Sequence, residues 1–309
     1  MTVEILQTNK LYPSCEAALA ARYTVHKLHE AADKEALLAD LRDRVRGIAG
    51  SHVGPELMDK LPKLEIIANF GVGYDSVDTK AARARNIRVT NTPDVLNDAM
   101  AEITIGLMIA LARKLPQTDQ FVRQGKWAKG TFPLQVELNG KTLGILGLGR
   151  IGKEIAVRAQ AMKMRVVYHG RRRQADEPFV YYDNLVEMAR DVDWLLVMAP
   201  GGKSTEGIVS REVLTALGPE GYLVNMARGS LVDEPALIEM LQARTLGGAA
   251  LDVFAKEPHV PEALFALDNV VLSPHQGSAT HQTRTKMGAL VVANLDAHFA
   301  GEPLPSAVV

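Results

Sequence analysis

Three short segments in the last third of the chain carry side chains that suit acid–base chemistry. They read NMARGSLVDE, ALDVFAKEP and SPHQGSAT, and they contribute Arg228, Glu257 and His275. A guanidinium can hold a carboxylate and polarise a carbonyl, and an imidazole can protonate an oxygen that gains negative charge. A carboxylate beside the imidazole would orient it and stabilise the imidazolium. Together the three types suit the reduction of a 2-keto acid. Taken singly, Arg228 would be part of a helix-capping ion pair, Glu257 a surface charge and His275 a loop histidine.

A glycine pattern earlier in the chain indicates a phosphate-binding turn. Residues 142–152 read TLGILGLGRIG, in which Gly147, Gly149 and Gly152 form G-x-G-x-x-G between an apolar strand-like run and a helical pattern. The first glycine permits a tight turn, the second lets the backbone approach a pyrophosphate, and the third allows close packing of helix and strand. An ordinary glycine-rich turn is the alternative, but the strand before and the helix after favour a dinucleotide site.

The end of the next strand predicts which dinucleotide is bound. An acidic residue about 20 positions after the first glycine would bind the ribose 2′-hydroxyl of NAD. Here the segment is VVYHGRRR, where Gly170 is followed by Arg171, Arg172 and Arg173 and no Asp or Glu is near. Guanidinium groups bind phosphates well, so NADP(H) is favoured and NAD(H) is expected at lower efficiency. A solvated basic loop is the alternative.

The elements that must position these residues follow from the hydrophobic pattern. Short apolar runs alternate with helix-length amphipathic segments, which is typical of α/β proteins with buried parallel sheets. Predicted strands in the first third span residues 3–7, 24–27, 47–50, 64–69 and 88–90, with helices over 34–44 and 79–85. A second series of strands is predicted over 142–146, 165–168, 194–198, 222–225, 248–252 and 270–272. A long helix over 98–123 and a connector over 125–133 separate the two series, and a helix over 281–300, predicted to return to the first domain, ends the pattern.

The fold class that follows is α/β, with two doubly wound parallel-sheet domains. A flavodoxin-like substrate (catalytic) domain is expected from residues 1–98 plus 284–309, and a Rossmann NADP-binding domain from 99–283, with hinges near 97–100 and 278–284. Lys plus Arg (35) nearly equals Asp plus Glu (36), so neither a nucleic acid nor a membrane partner is expected. The single cysteine and the absence of a signal-like start predict a cytoplasmic protein, and no metal site is expected.

The chain resembles the D-isomer-specific 2-hydroxyacid dehydrogenases, in particular the glyoxylate/hydroxypyruvate and hydroxyphenylpyruvate reductases. The segments that carry the resemblance are NFGVGYDSVD, TNTPDVLNDAMAE, GILGLGRIG, the NxxRG pattern ending at Gly229, LDVFAKEP and SPHQGSAT. By motif, the resemblance implies that Arg228, Glu257 and His275 are catalytic. It also implies that Val72 and Gly73 bind the substrate carboxylate through backbone N–H groups, with Arg228 and His275 contacting the same substrate in a cleft between the domains.

The resemblance further implies a set of cofactor contacts around the glycine turn and the later strand ends. In addition to the three motif glycines and to Gly170 and the arginines after it, the set consists of Thr104, Leu148, Arg150, Ile151, Pro200, Thr205, Met226, Ala227, Arg228, Asp252, His275 and Gly277. One departure is the segment APGGKST, where relatives have a Pro-x-Thr type of turn in place of Gly201 and Gly202. A homodimer is also implied, with Trp127 packed against the second subunit; burial of Trp127 within its own chain is the alternative.

The expected function is NADPH-preferring reduction of a small 2-keto acid, with glyoxylate or hydroxypyruvate as the first choice of substrate. Arylpyruvates and 2-ketogluconate share the same reacting group and stay open, because the sequence does not assemble the pocket walls. The D stereochemistry rests on the resemblance. NAD-linked oxidation of phosphoglycerate type is disfavoured by the missing carboxylate. The alternative from another class is a dinucleotide-sensing, corepressor-like interaction protein.

Overall fold

The computed structural model describes residues 2–309, which form twelve β-strands and eleven α-helices. The strands are β1 (Glu4–Gln7), β2 (Thr24–Lys27), β3 (Val45–Gly50), β4 (Ile66–Asn69), β5 (Arg88–Thr90), β6 (Thr142–Leu146), β7 (Arg165–His169), β8 (Val180–Tyr182), β9 (Trp194–Val197), β10 (Tyr222–Asn225), β11 (Gly248–Leu251) and β12 (Val270–Leu272). The helices are α1 (Pro13–Ala20), α2 (Lys34–Leu41), α3 (Pro55–Lys60), α4 (Thr79–Ala84), α5 (Asn97–Ala112), α6 (Leu115–Arg123), α7 (Arg150–Ala161), α8 (Leu185–Asp191), α9 (Arg211–Leu217), α10 (Glu234–Gln242) and α11 (His281–Ala300). No helix within residues 2–309 combines the length and apolar content needed to traverse a bilayer.

The elements divide into two compact units. The first contains the described residues up to Leu96 together with Ala279–Val309, and the second contains Asn97–Ser278. Each unit is built around its own parallel sheet.

The first unit has a five-stranded parallel sheet in the order β2-β1-β3-β4-β5. Successive residues of a strand face opposite sides, so Ile5 and Leu6 of β1 enter two different apolar clusters, one on each face. Helix α11 contributes Val291 and Leu295 to the cluster that contains Ile5. The last helix of the chain therefore covers one face of the first sheet.

The second unit has a seven-stranded parallel sheet in the order β12-β11-β10-β9-β6-β7-β8. The chain runs outward from β6 in one direction through β7 and β8, and in the other direction from β9 to β12. The point between β6 and β9 is thus a topological switch point, where ligands of open α/β sheets bind outside the carboxyl ends of the strands. Fully buried Leu195, Val197 and Leu223 lie in its main apolar cluster.

Apart from shifts of a few residues at the ends of elements, two elements differ from the sequence prediction. The predicted helix over 98–123 is two helices, because Lys114 adopts a left-handed backbone with a φ of +49° and Pro116 lies in the first turn of α6. Proline has no N–H to continue the hydrogen-bond ladder of α5. Strand β8, at the edge of the sheet, was not predicted; none of its three residues is buried, so it lacks the apolar signal of a buried strand.

The start of α6 is held by an ion-pair cluster around Asp268. Lys114 Nζ lies 2.9 Å from Asp268 Oδ2, and Arg244 donates to Asp268 Oδ1. Lys114 and Arg244 together lower the pKa of Asp268 to about 2. Because the folded pKa lies below the unfolded value of about 4, the stabilisation is present above pH ~4 and is lost as the pH falls toward 2.

We expect Asp268→Asn to lower the free energy of unfolding at pH 7 by up to about 1 kcal/mol, because the carboxylate is half exposed and solvent screens the pair. Urea titrations at pH 7 and pH 3 measure the free energy of unfolding of both proteins. The difference in this free energy between the variant and the wild type should be smaller at pH 3. Asp183→Asn, at an exposed position in the same unit, is the matched control. A pH-independent difference, or an equal loss in the control, would argue against the ion-pair account.

Candidate active site

The carboxyl ends of the strands in the second sheet bring most of the predicted site residues to one edge. Gly147 follows β6, Gly170 follows β7, and Pro200 lies just beyond β9. Met226, Ala227 and Arg228 follow β10, Asp252 follows β11, and His275 lies just beyond β12. All of these strands are parallel, so residues that are far apart in sequence share this edge.

The glycine turn has the geometry that its motif requires. Gly147 has a φ of +99°, and a Cβ there would lie 2.7 Å from the backbone nitrogen of Ala199. A Cβ at Gly152 would lie 2.7 Å from the carbonyl oxygen of Gly147. At Gly149, by contrast, no described atom beyond the glycine and its two chain neighbours lies within 4 Å of the Cβ position. Packing therefore explains the first and third glycines, and the second leaves open backbone that a pyrophosphate could approach.

The N-terminus of α7, which starts at Arg150, is suited to an anion. Its N-cap is Gly149, and no described side chain caps it, whereas Asn184, Ser210 and Asp233 accept hydrogen bonds at the starts of α8, α9 and α10. The first N–H groups of a helix have no partner inside the helix, and the helix dipole favours negative charge there. This helix start therefore offers N–H donors that a phosphate can use.

The loop after β7 carries positive charge without a compensating carboxylate. Arg171, Arg172 and Arg173 are all exposed, and within residues 2–309 none of them forms an ion pair. Glu177, four residues after Arg173, is paired with Lys153 at 2.6 Å. The loop thus fits a phosphate better than a ribose hydroxyl that needs a carboxylate partner.

Arg228 is held by the loop that follows β10. Asn225, at the end of the strand, is 1% exposed; its side-chain oxygen accepts from the N–H of Ala227 at 3.1 Å, and its amide donates to the Arg228 carbonyl at 2.9 Å. The half-buried Arg228 side chain donates from Nη1 to the carbonyl of Ala227 at 2.7 Å. The buried asparagine therefore fixes the backbone from which the guanidinium extends.

The loop with Arg228 packs directly against the segment that leads to Glu257. A Cβ at Gly229 would collide with the backbone of Phe254 and Ala255. The N–H of Phe254 in turn donates to Glu257 Oε1 at 3.1 Å. The absence of a side chain at Gly229 thus allows the arginine loop and the glutamate loop to lie side by side.

Glu257 and His275, which the sequence predicts to act together as an acid–base pair, are in direct contact. Glu257 Oε2 lies 2.7 Å from His275 Nδ1, and both side chains are partly exposed, at 35% and 50%. With Nδ1 directed at the carboxylate, Nε2 is the ring nitrogen left to exchange a proton with a ligand. The geometry matches that of a general acid oriented by a carboxylate.

Asp252 holds the backbone around His275. Its carboxylate is 1% exposed and accepts from Ser273 Oγ at 2.5 Å, from the N–H of Gln276 at 2.7 Å and from the N–H of Gly277 at 2.8 Å. His275 adopts a left-handed backbone with a φ of +53°, and its N–H donates to the Asp252 carbonyl at 2.9 Å. Asp252 therefore positions the histidine loop, and its predicted cofactor contact stays a prediction.

The remaining predicted cofactor residues differ in accessibility. Thr104 is fully buried, and its hydroxyl donates to the Met100 carbonyl at 2.6 Å. The hydroxyl of Thr205 donates to the Pro200 carbonyl at 2.7 Å and so closes the loop that contains Gly202, whose φ is +141°. Leu148, Met226 and Ala227 are buried, Ile151 is half-buried and Arg150 is exposed.

In the first unit, the carbonyl groups of the loop after β4 accept hydrogen bonds from two asparagine side chains. Asn69, the buried last residue of β4, donates to the carbonyls of Gly71 and Gly73 at 3.1 and 3.0 Å, and Asn91 donates to the carbonyl of Val72 at 3.0 Å. No described residue accepts a hydrogen bond from the N–H of Val72 or Gly73. The loop thus offers N–H groups to an anion.

A cation lies beside the same loop. The half-buried Arg284 of α11 stacks over the ring of Phe70, with its guanidinium carbon 5.7 Å from the ring centroid. Burial lowers the pKa of Arg284, although its ordinary value is so high that it stays charged.

Sequence reasoning missed the buried asparagines Asn69 and Asn225, which position the loops just described. Each is the last residue of an otherwise apolar strand, in IIAN and YLVN. An amide at the end of a buried strand must find hydrogen-bond partners, and the nearest backbone to supply them is the following loop. That pattern was the available signal.

These features define an α/β protein with a dinucleotide-binding sheet and a contacting glutamate and histidine at its carboxyl edge. The model of the NAD-binding domain of the D-isomer-specific 2-hydroxyacid dehydrogenases matches residues 105–277. Glyoxylate/hydroxypyruvate reductase A of Arabidopsis thaliana and hydroxyphenylpyruvate reductase of Plectranthus scutellarioides are each 45% identical to this chain over 297 residues, which cover 95% of both chains in either comparison.

A solved structure is similar over the whole chain. The NADPH-dependent glyoxylate/hydroxypyruvate reductase of Sinorhizobium meliloti, in complex with NADP and malonate, is 46% identical, with a TM-score of 0.96 and coverage of 100% of this chain and 97% of that chain. The chain therefore belongs to the D-isomer-specific 2-hydroxyacid dehydrogenase family, an oxidoreductase family. The predicted family and fold class are confirmed.

Proposed function

We propose that this protein reduces small 2-keto acids to 2-hydroxy acids with NADPH, and that glyoxylate and hydroxypyruvate are its preferred substrates. The observation that carries the proposal is the Glu257–His275 pair at 2.7 Å, on the sheet edge where the glycine turn also lies. The relatives named glyoxylate/hydroxypyruvate reductase support the choice of substrates.

The residues present fit NADP(H). The open backbone at Gly149 and the uncapped start of α7 would hold the pyrophosphate, and Arg171, Arg172 and Arg173 would hold the 2′-phosphate. When bound, the reduced nicotinamide supplies the hydride that reduces the keto carbon.

We assign proton donation to His275, orientation of its ring to Glu257, and stabilisation of the developing negative charge to Arg228, all in the second unit. His275 Nε2 donates the proton to the carbonyl oxygen, while Glu257 fixes the ring through Nδ1 and stabilises positive charge on it before transfer. Arg228 binds the keto acid through its guanidinium and polarises the carbonyl, because a cation stabilises the negative charge that develops on that oxygen.

The first unit is proposed to contribute carboxylate recognition. Val72 and Gly73 would bind a carboxylate through their N–H groups, since their carbonyls are engaged by Asn91 and Asn69. In this assignment the first unit is the substrate domain and the second the NADP-binding domain.

A substrate panel tests the proposal. Steady-state rates with NADPH should be compared for glyoxylate, hydroxypyruvate, 2-ketogluconate and phenylpyruvate. The proposal expects the highest kcat/KM for glyoxylate or hydroxypyruvate; a larger value for phenylpyruvate or 2-ketogluconate would move the assignment to the corresponding reductase within the same family.

Cofactor preference gives a prediction for the three arginines. In the variant Arg171→Ala/Arg172→Ala/Arg173→Ala, the ratio of kcat/KM for NADPH to that for NADH should fall about 100-fold, because charge-assisted bonds to the 2′-phosphate are lost. The kcat/KM for NADH should change little. Arg190→Ala, at an exposed position in α8, is the control. An unchanged ratio would mean that the loop is only a solvated basic surface.

We also propose that the protein is a homodimer that uses the connector after α6. Trp127 is 68% exposed and Leu134 is 99% exposed, and Phe132, which lies between them in sequence, meets Phe121 of α6 edge-on. Large apolar side chains exposed so close together are typical of an association surface.

Light scattering should give twice the chain mass of 33.6 kDa for the wild type. For Trp127→Asp/Leu134→Asp we expect the monomer mass, because charge opposes burial of this surface. Val180→Asp, at an exposed apolar position on the edge strand β8, is the control and should leave the mass unchanged. A monomeric wild type would contradict the proposal.

A cytoplasmic location is proposed as well. The lone thiol, Cys15, is buried, and burial raises its pKa to about 12, so it stays protonated and unreactive at neutral pH. A chain with one such cysteine does not depend on an oxidising compartment.

A further inference from the structure

The arginine loop, defined here as residues 170–174, is fixed at both ends although its three arginine side chains are exposed. At its start, the hydroxyl of Tyr181 donates to the carbonyl of Gly170 at 3.0 Å. At its end, the N–H of Gln174 donates to the hydroxyl of Tyr168 at 2.7 Å. The two tyrosine rings contact each other with centroids 5.3 Å apart. Strands β7 and β8 therefore hold the loop between them.

The side chain of Gln174 joins this loop to the glycine turn. Its Nε2 donates to the carbonyl of Leu148 at 2.7 Å, and Leu148 lies between Gly147 and Gly149. Gln174 is half-buried, so the bond is partly shielded from water. One side chain thus connects the backbone suited to a pyrophosphate with the loop suited to a 2′-phosphate.

We propose that Gln174 is a positioning residue for cofactor choice, which holds the arginine loop in the place where its guanidinium groups meet the 2′-phosphate of NADPH. The inference rests on the proposed preference for NADPH. A guanidinium on an unfixed loop must be ordered when the ligand binds, and that cost weakens binding. The Gln174 link removes part of that cost in advance.

A residue that positions the arginine loop and a residue that only stabilises the glycine turn would affect the affinities for NADPH and NADH differently. Both NADPH and NADH carry the pyrophosphate, so a change confined to the turn would weaken both equally. Only NADPH carries the 2′-phosphate, so a change in the arginine loop would weaken NADPH alone. The ratio of the two dissociation constants therefore separates the two roles.

The test variant is Gln174→Met, which keeps the length of the side chain and removes its N–H donors. Fluorescence titration should show the Kd for NADPH rising about three- to tenfold, as expected for one lost hydrogen bond, and the Kd for NADH changing less than about twofold. Gln160→Met, at an exposed position in α7, is the matched control and should leave both constants unchanged. Tyr181→Phe, which frees the other end of the loop, should shift the ratio in the same direction.

A second experiment tests whether Gln174 acts through the three arginines. In the background Arg171→Ala/Arg172→Ala/Arg173→Ala, Gln174→Met should leave the ratio of the two constants unchanged, because residues that act through one another have non-additive effects. An equal loss of NADPH and NADH binding, no loss at all, or the same shift in the arginine-free background would overturn the inference. A wild type without NADPH preference would overturn the proposed cofactor instead, which keeps the two failures distinct.

Discussion

Replacing His275 by asparagine is expected to lower kcat for glyoxylate reduction by about 10²- to 10⁴-fold, the range that a general acid contributes. Asparagine is chosen because it tolerates the left-handed backbone, with a φ of +53°, that His275 adopts. Alanine would add backbone strain to the loss of the proton donor. Single-turnover and steady-state rates with NADPH would measure the effect.

NADPH binding by the same variant is expected to change much less than kcat, because the glycine turn and the arginine loop that would hold the phosphates are untouched. His259→Asn, at an exposed position two residues after Glu257, is the matched control and should keep the wild-type kcat. If His275→Asn retained kcat within about threefold, His275 would not be the proton donor, because general acids contribute at least about 10²-fold.

The second large effect is expected at Arg228. Arg228→Gln removes the cation proposed to polarise the keto carbonyl, and kcat/KM should fall by about 10²- to 10³-fold, as it does when one donor to a developing oxyanion is lost. Arg228→Lys retains the charge but not the planar fork that suits a carboxylate, so we expect an intermediate value. Steady-state kinetics with glyoxylate and hydroxypyruvate would give both numbers.

The control for Arg228 is Arg113→Gln, at an exposed position after α5. Far-ultraviolet circular dichroism should be the same for all variants, because the loop is held by the Asn225 side chain bonded to backbone groups. A lysine variant as active as the wild type would show that charge alone is needed; a glutamine variant with wild-type kcat/KM would remove Arg228 from the mechanism.

Residues whose type is dictated by backbone geometry were predictable from the sequence. Gly147 and Gly152 are constrained by positive φ or close backbone contact, so the motif that they form with Gly149 was visible in the chain. Most strands were equally predictable, because parallel strands that are buried on both faces appear in the sequence as continuous apolar runs. The edge strand β8 lacks that burial, and Val180 is exposed, so its signal was weak.

Side chains that act through hydrogen bonds to distant backbone were not predictable. Nothing in the composition around Gln174 indicates that its amide meets Leu148, 2.7 Å away and in another loop. The same holds for Asp252, which was predicted as a cofactor contact and whose carboxylate holds Ser273, Gln276 and Gly277. Such roles depend on which loops the fold places side by side, and one sequence does not encode that in its spacing.

The most direct measurement of the central claim is the rate of NADPH oxidation at 340 nm with glyoxylate and with hydroxypyruvate, repeated with NADH at equal concentrations. We predict rapid turnover of both keto acids, with a higher kcat/KM for NADPH than for NADH. Tight dinucleotide binding without turnover of either keto acid would contradict the account and would instead indicate a dinucleotide-sensing protein built on the same fold.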